Sequence, residues 1–201
     1  MTVSEPLHWR FLNPQIMQAV IDSQLTVGDL GPNTSLPIIR TYTGKFINVQ
    51  SPKLDDIVID DIAHGLSHTC RFGGHTIEFY SVAQHCVEMA DFVIRTYPDD
   101  KVLQLAALLH DASEAYLGDM PSPIKAILPD YKRLENILMR AIAFKFGFSF
   151  PLDTTIKQVD EMALSHEWHN KVLKNDLNYR SWSSYEASTN FIEKYNQITN
   201  A

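Results

Sequence analysis

Only two cysteines, Cys70 and Cys86, occur in the 201 residues, and they form no CxxC pair. That excludes a disulfide framework; both thiols are expected as small apolar fillers in a reducing compartment, which points to the cytoplasm. No run of about 18 apolar residues exists that would span a bilayer. The opening MTVSEPLHWRFLNPQ has no basic flank leading into an apolar stretch, so no export signal is expected. Positive charge is sparse: 17 Lys and Arg stand against 24 Asp and Glu, and basic residues gather no further than pairs such as Lys132 and Arg133. Such a surface excludes stable binding to long nucleic acid, while a few placed cations suffice for a small anionic substrate. There is no internal repeat and no low-complexity segment.

What the chain does have is apolar side chain. Hydrophobic residues make up 45% and charged residues 20%, which excludes disorder over most of the length and suits one domain of ordinary size. Residues 1–35 read as an N-terminal extension, in which a weak helical pattern (Ile16, Val20, Ile21) runs into the loop word GDLGPNTSLP. Residues 36–201 form the main domain. Its first segment, IIRTYTGKFINVQSP, alternates and is rich in Ile, Thr and Tyr, as in a small β-hairpin turning near Gly44.

From Asp55 onward the periodicity is helical. Asp60-Asp61 open a segment with Ile59, Ile62, Ala63 and Leu66 at helical spacing. Ser81 caps a helix that turns Val82, His85, Cys86, Met89 and Phe92 inward and ends near Tyr97-Pro98. Lys101 to Leu117, with Val102, Leu105, Ala106, Leu109 and Ala112, reads as one helix stopped by Gly118. Another runs from Asp130 to Phe146, with Gly147 as its stop. A further helix starts near Asp153-Thr154 and passes through Ile156, Val159, Met162 and Ala163; a last one covers Tyr185 to Tyr195. Five or six helices with short links predict an all-α bundle.

The stretch LLHDASEAYLGDMP, Leu108 to Pro121, carries the chemistry. His110-Asp111 sits where an apolar helix would carry Leu or Ala, and an unpartnered carboxylate there would cost several kcal/mol to bury. A metal ion or a dense hydrogen-bond network is therefore expected. Glu114 follows one turn on, on the same face. Asp119 comes after Gly118, in a loop stiffened by Pro121 and Pro123. Two more polar residues interrupt apolar stripes: His85 in SVAQHCVEMA, 25 residues before His110, and Asp160 in IKQVDEMAL, 49 after Asp111. Imidazoles and carboxylates together bind first-row divalent ions and leave open positions for water or substrate.

The order His…His-Asp…Asp resembles the signature of the HD-domain metal-dependent phosphohydrolases. The words RFGGH, SVAQH, LLHDASEAYLGDMPSPIK and KQVD are most similar to the small single-domain HD hydrolases of bacteria and their phages, a group of 5′-deoxynucleotidases and dATP triphosphohydrolases. The resemblance covers roughly Arg40 to Glu167. It implies an HD-domain helical bundle, His85, His110, Asp111 and Asp160 as metal ligands, Glu114 as the residue that activates or orients the attacking water, and Asp119 as a second catalytic carboxylate. It also implies a phosphate-binding role for Arg71, a sugar-facing ring at Phe72 (where relatives often carry Trp), and phosphate contacts from Lys125 and Lys157. One divalent ion is implied, whether Co, Mn, Zn, Fe or Ni, together with a second, weaker ion such as Mg and a homo-oligomeric state.

The expected activity is cleavage of the 5′-phosphate ester of 2′-deoxynucleotides, with deoxynucleoside monophosphates favoured. Triphosphates, giving nucleoside and triphosphate, are the alternative, since the same bond breaks; Lys125 and Lys157 both pointing beyond the α-phosphate would favour them. A non-catalytic nucleotide-binding regulator is the rival of another class. Taken singly, a histidine on an apolar face is usually a hydrogen-bonded core residue, an exposed cation a solvated one, and Asp119 a turn cap. The convergence of several such residues carries the metal reading. His64-x-x-x-His68 and His166-Glu167-Trp168-His169 do not make a zinc-protease HExxH word and read as surface or interface histidines. His75 is a candidate for the pocket mouth. Tyr179, Trp182 and Tyr185 read as packing or subunit contact rather than base stacking.

Overall fold

The computed structural model describes residues 37–173 and 179–200; the helical pattern expected around Ile16, Val20 and Ile21, and the boundary at residue 35, lie outside them. Ile38–Ala201 is one compact unit. It is mostly helical, with one two-stranded hairpin at its start. Strand β1 (Ile38–Arg40) pairs antiparallel with β2 (Phe46–Asn48), Ile39 facing Ile47. Gly44 turns the hairpin at φ +88°, a conformation that L side chains rarely adopt. The hairpin tip is tied down by a buried carboxylate: Thr43 donates its N–H and hydroxyl to Asp61 at 2.7 and 2.8 Å.

Helix α1 (Ile59–His68) buries Ile62, Ala63 and Leu66 and carries Asp60 and Asp61 in its first turn, where the helix dipole favours anions. Helix α2 (Val82–Thr96) starts at Ser81, whose hydroxyl accepts from the Gln84 N–H at 3.1 Å. It occupies the centre, packed against α1, α3 (Lys101–Leu109), α7 (Thr154–Glu167) and α8 (Ser184–Thr199). Its buried line is Cys86, Ala90 and Val93. Phe92, expected inside, is 37% exposed, because six residues after Cys86 is about 120° off that line. Met162 stands at the same offset from Ile156 and is likewise exposed, as is Val102 on the first turn of α3.

The expected single helix from Lys101 to Leu117 is broken. α3 stops at Leu109, residues 110–113 form a tight turn, and α4 (Glu114–Leu117) resumes. The His110 ring bonds the Ala107 carbonyl at 2.9 Å. The backbone beyond it contracts to bonds three residues back, Ala112 N–H to Leu109 O and Glu114 N–H to Asp111 O. His110-Asp111 is thus a helix-end pair, not a mid-helix one. A straight helix would splay neighbouring side chains by about 100°; the turn lets both reach one point.

α4 lies hard against α1. A Cβ on Gly65 would meet the Ala115 carbonyl oxygen at 2.7 Å and its Cα at 2.9 Å, so only glycine permits this approach. Gly118 ends α4 at φ +78°, and short α5 (Ser122–Lys125) leads into α6 (Pro129–Phe146), closed by Gly147 at φ +82°. α7, capped by Asp153, runs without a break into a π-helical turn, Trp168–Val172. No helix among the described residues is long and apolar enough to cross a membrane.

Candidate metal centre and its cleft

Three elements bring four ligand candidates together: α2 supplies His85, the turn after α3 supplies His110 and Asp111, and α7 supplies Asp160. The His85 and His110 Nε2 atoms are 3.2 Å apart. His85 Nε2 stands 3.2 Å from Asp160 Oδ1 and 3.8 Å from Asp111 Oδ2. His110 Nε2 stands 3.1 Å from Asp111 Oδ2 and 3.8 Å from Asp160 Oδ1. Two ligands each about 2.1 Å from one ion are separated by about 3.0–3.4 Å, so these spacings suit a shared cation.

The hydrogen bonds behind the rings fix which nitrogen is free. His85 Nδ1 lies 2.6 Å from Glu167 Oε1, and His110 Nδ1 lies 2.9 Å from the Ala107 carbonyl. Carboxylate and carbonyl oxygens accept only, so each Nδ1 donates and each Nε2 is the atom turned toward the cluster, where a metal ion would take its lone pair. Two imidazole Nε2 atoms and two carboxylate oxygens therefore face one another, a donor set that suits a divalent cation. The His/Asp cluster could hold a metal ion. Cys86 forms a second such group with His110 and Asp111. Its sulfur, however, lies toward the Nδ1 side of His110, and burial pushes its thiol up, away from the thiolate a metal requires. It is the buried apolar filler expected; Cys70 is only half-buried.

Burial raises the Asp111 carboxyl, but the His110 ring and then His85 and Arg71 overcome it and hold Asp111 ionised. Asp160 is kept low in the same way, by His85 and His110 against burial. Arg71 is buried, and one edge of its guanidinium is engaged: Nε and Nη2 converge on Glu167 Oε2 at 3.0 and 2.9 Å, while Nη1 is 3.5 Å from Asp111 Oδ2. Burial opposes its charge, and Glu167 and then Asp111 outweigh it and push its pKa further up.

The sequence reading missed Glu167 by treating its neighbourhood as surface. It is 3% exposed and engages His85, Arg71 and Tyr80, the last at 2.8 Å. Burial opposes its charge, yet His85 and then Arg71 bring it down to about 2. One signal was available: Glu167 follows Asp160 by seven residues, two helical turns, on the same face. Tyr80, fully buried beside it, left no mark in the sequence pattern.

A cavity of about 760 Å³ opens onto the cluster. Its charged lining includes Arg71, Asp111, Glu114, Asp119, Lys125 and Asp160, and its apolar lining Phe72, Met120, Leu164 and Trp168, with His75 also on the wall. Glu114 is buried with Oε2 lacking any hydrogen-bond partner. Burial first, then Asp111 and Asp119, push its pKa well up, against Lys125 and Arg71. Asp119 is also raised by burial, although Arg71 and a backbone hydrogen bond from Phe72 resist. Lys125 reaches Glu135 at 2.6 Å and Glu114 at 3.5 Å. Lys157 is elsewhere: it lines a separate cavity of about 180 Å³ that shares only Asp111 and Asp160 with the larger one.

A helical protein whose His/Asp cluster is compatible with an HD-type metal site is thus defined by its geometry. No protein-family model matches the chain. It is 42% identical over 132 residues to the uncharacterized protein YfdR of Escherichia coli K12, spanning 66% of this chain and 71% of that one, and it belongs to the family of YfdR. It is also 38% identical over 128 residues to an uncharacterized protein of Rhodobacter capsulatus, spanning 62% of this chain and 65% of that one.

Proposed function

We propose that this protein is a divalent-metal-dependent phosphohydrolase of the HD superfamily that cleaves the 5′-phosphate ester of 2′-deoxynucleotides. The observation that carries the reading is the pairing of four convergent acceptors with an unpartnered, raised carboxyl, Glu114, on the same cavity. An ion held by His85, His110, Asp111 and Asp160 would acidify water and offset phosphoryl charge. The chain's own residues supply the rest. Arg71, kept cationic and fixed by Glu167, presents positive charge at the cluster for phosphate oxygens. Glu114 is suited to take a proton from the attacking water, since it lines the cavity with one carboxyl oxygen that has no hydrogen-bond partner. Asp119 borders the same cavity and serves the leaving oxygen.

Monophosphates are favoured over triphosphates. Extra phosphates need extra cations, yet Lys125 is occupied by Glu135 and Glu114 and Lys157 belongs to another cavity. The test is a phosphate-release assay with Mn²⁺ or Co²⁺ over a panel of deoxynucleoside mono- and triphosphates. Inorganic phosphate from monophosphates is expected. Silence on every substrate by a protein that still binds metal would replace the enzyme with a nucleotide-binding regulator.

A further inference from the structure

The large cavity is lined by two aromatic rings as well as by charged groups. Phe72 and Trp168 both line it, their centroids 6.2 Å apart and their planes inclined by 50°. Trp168 is 45% exposed, so burial does not explain its place. Each ring stands on an unusual stretch of backbone. Phe72 sits at φ +55°, a left-handed conformation unusual for an aromatic residue. Trp168 opens the π-helical turn, a feature common at functional sites, and its carbonyl accepts from the Leu173 N–H at 2.9 Å.

The two rings share one clamp. Phe72 directly follows Arg71, Trp168 directly follows Glu167, and Arg71 and Glu167 form the buried ion pair. The same Glu167 that bonds His85 therefore ties together the chain segments that carry the two rings. We propose that Phe72 and Trp168 form the seat of the substrate's nucleobase, with Trp168 the residue that selects a ring-bearing phosphoester over a bare sugar phosphate. This deepens the phosphohydrolase reading and rests on it. A flat ring between two parallel walls needs about 7–8 Å of separation. At 6.2 Å and 50° the base instead lies face-on to Trp168 and meets Phe72 with its edge. Stacking accepts any base, so the seat demands a ring without choosing among bases.

The test compares thymidine 5′-monophosphate with 2-deoxyribose 5-phosphate, which lacks only the base. Binding is measured by calorimetry on the Mn²⁺-loaded full chain carrying Glu114→Gln to suppress turnover. The parent is expected to bind the nucleotide at least about tenfold more tightly than the sugar phosphate. Trp168→Ala should erase that preference while leaving the sugar phosphate within about twofold, and Trp168→Phe should restore most of it. An unchanged preference in Trp168→Ala, or equal weakening of both ligands, overturns the base seat and leaves the phosphoester reading standing. Failure of the parent to bind either ligand overturns both.

Discussion

Glu114 and Glu167 border the same cluster, and each is 3% exposed, yet their surroundings drive them in opposite directions. Glu167 ends α7 with both oxygens engaged, by His85 and Tyr80 on one side and Arg71 on the other, and is held at about 2. Glu114 opens α4 with one oxygen unpartnered; burial and the neighbouring Asp111 raise it, and its nearest cation, Lys125, is shared with Glu135. Burial is common to both; the cations within reach differ. A fixed anion orients a ligand ring, whereas a carboxyl that changes protonation moves protons.

The largest effect is expected from Glu114→Gln. The amide keeps the shape and replaces a group already disfavoured as an anion, so folding stability and Mn²⁺ affinity should hold. Turnover of a phosphoester should fall about 10²- to 10⁴-fold. Kinetics run beside a calorimetric Mn²⁺ titration checks this; metal loss matching the activity loss would erase the distinction between the two glutamates.

Glu167→Gln should reverse that pattern. It withdraws the charge that balances buried Arg71 and weakens the hold on the His85 ring. Metal affinity should drop about 10- to 100-fold. The same Mn²⁺ titration reads it, and an unaltered affinity would reduce Glu167 to a packing residue.

The contrast also shows how far the sequence could be read. The metal set was visible because each member breaks an apolar stripe: a histidine in SVAQHCVEMA or an aspartate in KQVDEMAL stands out against its neighbours. The hairpin and the caps at Ser81 and Asp153 were visible from local turn and capping chemistry. Glu167 was not, because burial is a tertiary property and the word HEWHN is as polar as any surface helix end. The break at His110 was hidden for a related reason. Apolar spacing continues through Ala112, and only the ring's bond to the Ala107 carbonyl turns the chain. Lys125 and Lys157 looked alike as basic positions; which cavity each faces depends on where α5 and α7 lie.

A smaller effect is expected from Gly65→Ala, which acts on one glutamate's support and spares the other's. The added methyl meets Ala115 backbone atoms at 2.7–2.9 Å, so α4 must shift from α1. Overpacking of this kind costs about 1–3 kcal/mol, to be read by denaturant unfolding. Because α4 carries Glu114 while the ligands sit on α2, α7 and the turn, kcat should fall with Mn²⁺ affinity retained. A matched loss of metal would mean that the two walls move as one.

The smallest effect concerns a glutamate whose side chain is 41% exposed. Glu186 completes the capping box of α8, taking the Ser183 N–H at 3.0 Å and returning its own N–H to the Ser183 hydroxyl at 3.2 Å. The Ser183 backbone first, then its hydroxyl and Arg180, lower its pKa below the ordinary 4.5. A carboxyl depressed in the folded state adds stability that is complete above 4.5 and disappears as the pH falls through the folded value. Glu186→Gln should therefore melt about 1 °C below the wild type at neutral pH, the gap closing on acidification. Thermal melts of both proteins from pH 7 down to pH 3.5 measure this. A gap that persists unchanged at the acid end would show that the effect does not come from the carboxylate's charge.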